Sequence, residues 1–172
     1  METPLYWIGQ AFGVLAVILG FVSFQVRTQK MLLLCQTFTA LTFVIHYFLI
    51  GAWSGMALNM VAMARNLVYA RRDLKIFSGK YWPIIFTVVM GISGLFSWQD
   101  WYSVLAILGL VINSLCMSFK DPQNIRKSIL VTSPMVLVYN AFAFSVGGMI
   151  YESVAIVSAV LGLIRFKKQN SN

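Results

Sequence analysis

The sequence predicts an all-α membrane protein built from seven transmembrane helices, and its composition, apolar runs and charge placement lead to this prediction. The 172-residue chain is 59% hydrophobic and 10% charged, whereas soluble domains carry roughly 25% charged residues. A transmembrane helix needs about 20 residues, so a chain of this length holds at most about seven or eight spans with minimal loops. We therefore expect a single membrane domain, with no room for a soluble catalytic or binding domain.

Each predicted helix is an apolar run that ends at charged residues or at a break containing glycine or proline. Gly51–Gly55 and Gly147-Gly148 are predicted to turn the chain, and Pro83 suits the first turn of a helix. Several runs are slightly shorter than 20 residues, and the alternative prediction makes one of them a re-entrant or buried segment. The predicted helices cover residues 5–26, 31–50, 56–70, 82–98, 102–119, 128–144 and 149–166, with a polar loop at 120–127 and a polar tail at 167–172.

The basic residues predict both the number of helices and their orientation. With seven spans, twelve of the 13 Lys and Arg residues fall on one side, and the other side receives only Glu2 and Asp100. Short loops rich in Lys and Arg stay in the cytoplasm, so the N-terminus is predicted outside and the C-terminus inside. Arg65 is the exception within the third helix, where it either snorkels to the cytoplasmic interface or serves a cavity. The twelve are Arg27, Lys30, Arg71, Arg72, Lys75, Lys80, Lys120, Arg126, Lys127, Arg165, Lys167 and Lys168.

Several other classes of protein are not expected. The net charge of +8 is scattered between apolar runs, which does not fit a nucleic-acid-binding surface. The segment Met1–Pro4 has no basic residue, so the first run is predicted to be a retained helix and not a signal peptide. Cys35, Cys116 and the single His46 form no metal-ligand spacing, and no nucleophile motif is present. We expect no metal, no cofactor and no enzymatic activity.

Two segments of the chain resemble each other and predict an internal repeat. His46–Asn66 aligns without gaps with Tyr139–Ala159, and this alignment equates Asn59 with Glu152. Parallel repeats related by an axis along the membrane normal occur in transporters, with the binding site at their interface near the midplane. The predicted arrangement is therefore 3+1+3, with three-helix units at 5–70 and 102–166 joined by a linker helix at 82–98.

Four local features match a known group of carriers. Ser23-Phe24-Gln25 closes the first helix, Asp121-Pro122-Gln123 follows the fifth, His46-Tyr47 lies near the end of the second, and Asn59 lies in the third. In these features the chain resembles the SWEET and PQ-loop (MtN3-like) carriers of small solutes. The resemblance implies a carrier in which Asn59 contacts the substrate. The chain departs from that group in its prolines, because only Pro134 lies inside a helix where those carriers use proline hinges for gating.

A second set of matches extends over nearly the whole chain. It consists of Tyr6-Trp7 with Gly13, His46 with Gly51, Asn59 with Arg65, Gly148-Met149 with Glu152, and Ile164-Arg165-Phe166. By these residues the chain is similar to the YgjV family of bacterial inner membrane proteins. The similarity implies a multi-pass protein of the inner (plasma) membrane, and its relation to SWEET-type architecture implies transport.

Six polar residues inside the predicted helices are the candidate substrate-binding residues. Polar groups in hydrocarbon are costly and usually face a partner or a cavity. The alternatives are that Glu152 is hydrated at the outer interface and that the other residues form hydrogen bonds between helices. The six residues are Asn59, Glu152, His46, Tyr139, Asn140 and Asn66.

These features predict a SWEET-like carrier in the lipid bilayer, with its site between the two units. The expected solute is small, neutral and rich in hydroxyl or amide groups, because the predicted lining offers hydrogen bonds and few charges. The alternative is a non-transporting membrane subunit or accessory factor, which the missing proline hinges favour. Small-residue helix faces such as Gly9-x-x-x-Gly13 permit a homo-oligomer but do not require one.

Overall fold

The structure is a computed structural model that describes residues 4–25, 29–118 and 122–169. Over these residues the chain forms seven α-helices, one short 3-10 turn and no β-strand, which confirms the predicted all-helical fold and its helix count. The elements are α1 (Pro4–Gln25), α2 (Gln29–Ile50), α3 (Trp53–Ala70), the 3-10 turn (Lys75–Phe77), α4 (Trp82–Phe96), α5 (Ser103–Cys116), α6 (Pro122–Phe142) and α7 (Val146–Gln169).

Helix α6 begins at Pro122, well before the predicted start at Ser128. The predicted polar loop is therefore wrong from Pro122 onward, and the loop residues before it lie outside the described part of the chain. Proline is favoured at the first helical position because its missing N–H would have no partner within the helix there. The polar residues that suggested a loop, including Arg126 and Lys127, form the first turns of the helix instead.

The predicted turn at Gly147 and Gly148 is also wrong, because both glycines lie in the first turn of α7. The chain turns slightly earlier, at Phe144, whose φ is 52°. Gly147 has a packing role, since a Cβ there would overlap backbone atoms of Gly13 and force α1 and α7 apart. The predicted turn at Gly51–Gly55 is confirmed only at its start, where Gly51 has a φ of 76° that favours glycine. Trp53–Gly55 lie in the first turn of α3, so the predicted turn is wrong there.

Six of the helices form a ring around a central interior. Helices α1, α2 and α3 pack against their neighbours in the chain, as do α5, α6 and α7. The ring closes because α1 packs against α7 and α3 packs against α5. Helix α4 packs against α3 and α5 and places a row of exposed apolar side chains outward. It therefore lies on the outside of the ring.

One end of the bundle gathers three turns beside the start of α1. The carbonyl oxygen of Gly51 accepts a hydrogen bond from Gln99 Nε2 at 3.0 Å. The carbonyl oxygen of Phe144 accepts hydrogen bonds from Gln10 Nε2 at 2.7 Å and from the Tyr6 hydroxyl at 3.1 Å. The first bond ties the α2–α3 connection to the α4–α5 connection, and the other two tie the α6–α7 connection to α1. We call this end of the bundle the turn end.

The opposite end carries basic residues. Lys30 Nζ, near the start of α2, lies 4.0 Å from Asp73 Oδ2 in the connector between α3 and α4. Both side chains are more than half exposed, so this ion pair adds little to stability. The ion pair nevertheless shows that the start of α2 lies beside that connector. The connector also exposes Arg71, Lys75 and Lys80.

Apolar side chains dominate the outer surface of the bundle. Phe96 is 89% exposed and Phe144 is 72% exposed, among many others. A continuous apolar surface of this kind is suited to hydrocarbon and not to water. The stretches Pro4–Ser23 and Lys30–Ile50 are long and apolar enough to cross a membrane, and α4, α5 and Val146–Leu161 are shorter apolar helices. Helices α4 and α5 measure only about 21–22 Å at 1.5 Å per residue.

Candidate functional site

A cavity of about 430 Å³ lies inside the helix ring. Within the described chain, its lining residues come from α2, α3, α5, α6 and α7 and from Met117 just after α5, and neither α1 nor α4 contributes one. The volume falls within the range of roughly 300–1,000 Å³ that is common for small-molecule sites. The polar lining includes Tyr47, Asn59, Arg65, Asn66, Tyr139 and Glu152.

Two tyrosines and a glycine form the part of the cavity nearest the turn end. The Gly55 N–H donates a hydrogen bond to the Tyr139 hydroxyl oxygen at 2.8 Å. A Cβ on Gly55 would lie 2.9 Å from the ring of Tyr47 and 3.0 Å from the Tyr139 hydroxyl. The absence of a side chain at Gly55 is therefore what allows both tyrosines to approach α3.

Asn59 and Glu152 both line the cavity, and each follows the first residue of its helix by six residues. At 1.5 Å per residue both lie about 9 Å from the turn end. Asn59 Nδ2 donates a hydrogen bond to the Gly55 carbonyl at 2.8 Å, and its Oδ1 has no hydrogen bond among the described residues. The Ser133 hydroxyl is the hydrogen-bond neighbour of Glu152. This level of the cavity thus combines an amide oxygen with a carboxyl group.

Arg65 lines the cavity farther from the turn end and is only 3% exposed. Its Nη2 and Nε lie 3.0 and 3.3 Å from Asn66 Oδ1, and its Nη1 lies 3.4 Å from Asn113 Oδ1. Both partners are neutral amides. The guanidinium is therefore held at the cavity wall without a carboxylate partner among the described residues. The Arg65 side chain does not extend to the end of the bundle, as the predicted alternative of snorkelling to the interface would require.

His46 is fully buried and does not line the cavity. Its Nδ1 lies 2.7 Å from the Gly9 carbonyl oxygen, and its Nε2 lies 2.6 Å from the Ser145 hydroxyl. A carbonyl oxygen can only accept, so Nδ1 carries the proton and Nε2 accepts from Ser145. The imidazole thus joins α1 and α2 to the α6–α7 turn.

Asn140 is also fully buried outside the cavity lining. Its Oδ1 accepts a hydrogen bond from the Tyr47 hydroxyl at 2.6 Å. Its Nδ2 has no hydrogen-bond partner among the described residues. A Cβ on Gly148 would collide with the Asn140 carboxamide, so the start of α7 lies directly against this side chain.

The structure therefore brings together four of the six candidate residues, Asn59, Asn66, Tyr139 and Glu152, around one cavity. The sequence-based selection did not include Arg65, Asn113 or Ser133, which also line it. Arg65 could have been selected from the sequence, because an arginine within an apolar run usually has a function. Ser133 had no such signal, because serine is common in apolar helices, where it bonds to its own backbone.

Comparison with known proteins agrees with this architecture. The family model described as a bacterial inner membrane protein, Imp-YgjV, matches residues 7–170. The inner membrane protein YgjV of Escherichia coli (strain K12) is 24% identical over 162 residues, covering 94% of this chain and 85% of that protein. No solved structure matches the chain significantly. Because the family model extends over nearly the whole sequence, this chain belongs to the YgjV family of bacterial inner membrane proteins.

Proposed function

We propose that this protein is a small-solute carrier of SWEET-like architecture that crosses the inner membrane seven times. Its binding site is the cavity between two three-helix units, α1–α3 and α5–α7, with α4 as the linker helix. The protein moves a solute and performs no covalent chemistry on it. The N-terminus lies outside and the C-terminus lies in the cytoplasm.

One observation carries this proposal. Asn59 and Glu152, which the repeat alignment equates, line the same cavity from α3 and α7 at the same depth. Each helix belongs to a different unit, so the cavity lies at the interface of the two units. A binding site at such an interface is what a parallel-repeat carrier requires.

The hydrogen bonds of the two turns support the repeat. Ala52 N bonds to Tyr47 O at 2.9 Å, and at the equivalent positions Ser145 N bonds to Asn140 O at 2.9 Å. The positive φ angles also occur at equivalent positions, Gly51 and Phe144. The two units thus share a local backbone geometry that their low sequence identity does not reveal.

The placement of charge supports the orientation. The exposed basic residues of the α3–α4 connector lie at the end opposite the turn end, and Asp100 is exposed at the turn end itself. Loops rich in Lys and Arg are retained in the cytoplasm, so the turn end faces outward.

A non-transporting accessory role is the second candidate. Pro134 is the one proline inside a described helix, whereas α1 and α2 have no interior proline to act as a hinge in gating. A ring of helices without proline hinges would suit a subunit that stabilises a partner.

Ligand-dependent thermal stability in detergent, combined with uptake into proteoliposomes, tests the proposal. A ligand that binds only the folded state raises the melting temperature by mass action. We expect one solute class to stabilise the wild type, to accumulate in liposomes, and to lose both effects in Asn59→Ala and Glu152→Ala. The controls are Met60→Ala and Ser153→Ala, the exposed neighbours of those residues, which should retain both effects.

The accessory role predicts a different result. No solute would then alter the melting temperature or enter the liposomes, and the two cavity variants would only melt at lower temperature. Co-purification of a second protein at fixed stoichiometry from the native membrane would further support the accessory role.

A further inference from the structure

We infer that the solute is a linear zwitterion whose carboxylate binds Arg65 and whose amine binds Glu152, with a short hydrocarbon chain between them. The inference rests on the proposal that the central cavity is the binding site. It specifies the chemical class of the solute, because a molecule of no net charge can still satisfy two opposite charges.

The carboxylate end follows from the free donors of Arg65. A guanidinium has five N–H groups. The hydrogen bonds to Asn66 and Asn113 use Nε, Nη1 and Nη2 once each, which leaves one N–H on each Nη. Two such N–H groups match the two oxygens of a carboxylate in a bidentate arrangement. A buried guanidinium with only amide partners is also costly, and an anionic ligand would relieve that cost.

The amine end follows from Glu152. Its carboxyl lines the cavity beside the hydroxyl of Ser133, and no described cation pairs with it. An ammonium group donates up to three hydrogen bonds. Glu152 and the unused Oδ1 of Asn59, at the same depth, offer acceptors for them.

The two charges lie at different depths of the cavity, which favours a solute whose own charges are separated. Arg65 lies twelve residues after the first residue of α3, about 18 Å from the turn end, whereas Glu152 lies about 9 Å from it. The structure contains no ion pair between them. A solute that reaches both therefore carries its carboxylate and amine at opposite ends.

Part of the wall between the two charges is apolar. Ala62 of α3 and Ala155 of α7 line the cavity, and each follows the start of its helix by nine residues, about 13–14 Å from the turn end. These methyl groups lie between the level of Glu152 and the level of Arg65. Methylene groups of the solute would pack against these two alanines, and Thr39 and Thr132 also line the cavity. Arg126 also lines the cavity, from the first turns of α6, and lies farther from the turn end than Arg65.

A series of ω-amino acids measures the spacing directly. The detergent-purified protein is titrated with β-alanine, γ-aminobutyrate and ε-aminocaproate, and in parallel with caproate, hexylamine and hexanediol as matched compounds that lack one or both charges. We expect an ω-amino acid to bind at least about tenfold more tightly than its matched compounds, because each end makes a charge-assisted hydrogen bond. Binding should also vary with chain length.

Two variants assign the ends. Arg65→Gln should weaken binding of caproate while leaving hexylamine unchanged, and Glu152→Gln should do the opposite. Arg65→Lys keeps the charge and should retain part of the zwitterion affinity, which separates loss of the site from loss of the fold. Ser153→Ala, with an exposed side chain beside Glu152, should bind like the wild type.

The wild-type titration alone can overturn the inference. Equal binding of caproate and ε-aminocaproate would make the ligand a simple anion, and a response to hexanediol alone would make it a neutral solute. Uptake of a sugar or polyol without any response to zwitterions would overturn the inference and leave the carrier intact. Zwitterion binding without uptake into liposomes would uphold the inference and overturn transport.

Discussion

The Tyr47 hydroxyl donates a 2.6 Å hydrogen bond to Asn140 Oδ1, and the two residues are 93 residues apart in the chain. They occupy equivalent positions in the repeat alignment, in which His46 and Tyr139 are also equivalent. Two equivalent positions of a two-fold arrangement can touch each other only close to its axis. This contact therefore indicates that the proposed pseudo-two-fold axis passes between α2 and α6.

Tyr47→Phe should lower the free energy of unfolding by about 0.6–2 kcal/mol, because it removes the donor and leaves a fully buried amide oxygen unpaired. The change can be measured by SDS titration of the protein in mixed micelles. Tyr81→Phe is the matched control, since the Tyr81 ring is 53% exposed and its hydroxyl makes only a 3.5 Å contact.

A double-mutant cycle with Asn140→Ala separates the hydrogen bond from other effects of the substitutions. If the two residues interact as described, the second substitution costs less in the presence of the first. Strictly additive costs would contradict a direct interaction at the proposed axis.

Gly147→Ala should destabilise the protein by about 1–3 kcal/mol, because its methyl group would overlap the backbone of Gly13 where α1 and α7 touch. Gly91→Ala is the matched control. Gly91 lies inside α4, and no neighbouring atom lies within 4 Å of the position that an added methyl group would occupy. Alanine there should be neutral or stabilise by up to about 1 kcal/mol.

Melting temperatures of the two purified variants give the comparison. Equal effects of the two substitutions would show that α1 and α7 do not approach as closely as the structure describes.

The glycines also show how far the sequence could predict this fold. A glycine at a helix end has two common uses, a turn with positive φ and a close backbone contact. Gly51 has the first use and Gly147 the second, and both give the same pattern in the sequence. The number of helices could be predicted from the sequence, because apolar runs and basic loops are local features. The contact of Gly147 with Gly13 joins distant parts of the chain and has no local signal.

The candidate site was predictable to a similar extent. Equating Asn59 with Glu152 needed only an alignment, and both residues do line the cavity. His46 and Asn140 are polar residues in apolar helices as well, but their partners Ser145 and Tyr47 lie in the other half of the chain. Which polar residues face a cavity and which join helices is decided by tertiary contacts that the sequence does not display.

His46→Ala should therefore lower the stability of the protein without abolishing ligand binding. The substitution removes a donor to the Gly9 carbonyl and the acceptor of the Ser145 O–H, and each lost hydrogen bond costs about 0.5–1.5 kcal/mol. The measurement is the melting temperature with and without a stabilising solute. The variant should melt lower but show the same increase on ligand addition. If the folded variant showed no rise in melting temperature on ligand addition, His46 would have to be counted among the ligand-binding residues.

Cysteine accessibility should show the turn end outside and the α3–α4 connector in the cytoplasm. Asp100→Cys and Ser78→Cys place single thiols at exposed positions at opposite ends of the bundle, in a chain whose Cys35 and Cys116 are replaced by alanine. A maleimide that cannot cross the membrane should label the first variant in intact spheroplasts and the second only after lysis. The physical reason is that the basic connector is retained on the cytoplasmic side during insertion.

The reverse labelling pattern would invert the proposed orientation while leaving the fold unchanged. Labelling of both thiols in intact spheroplasts would mean that α4, the helix between the two thiols, does not cross the bilayer, and the seven-span proposal would then fail.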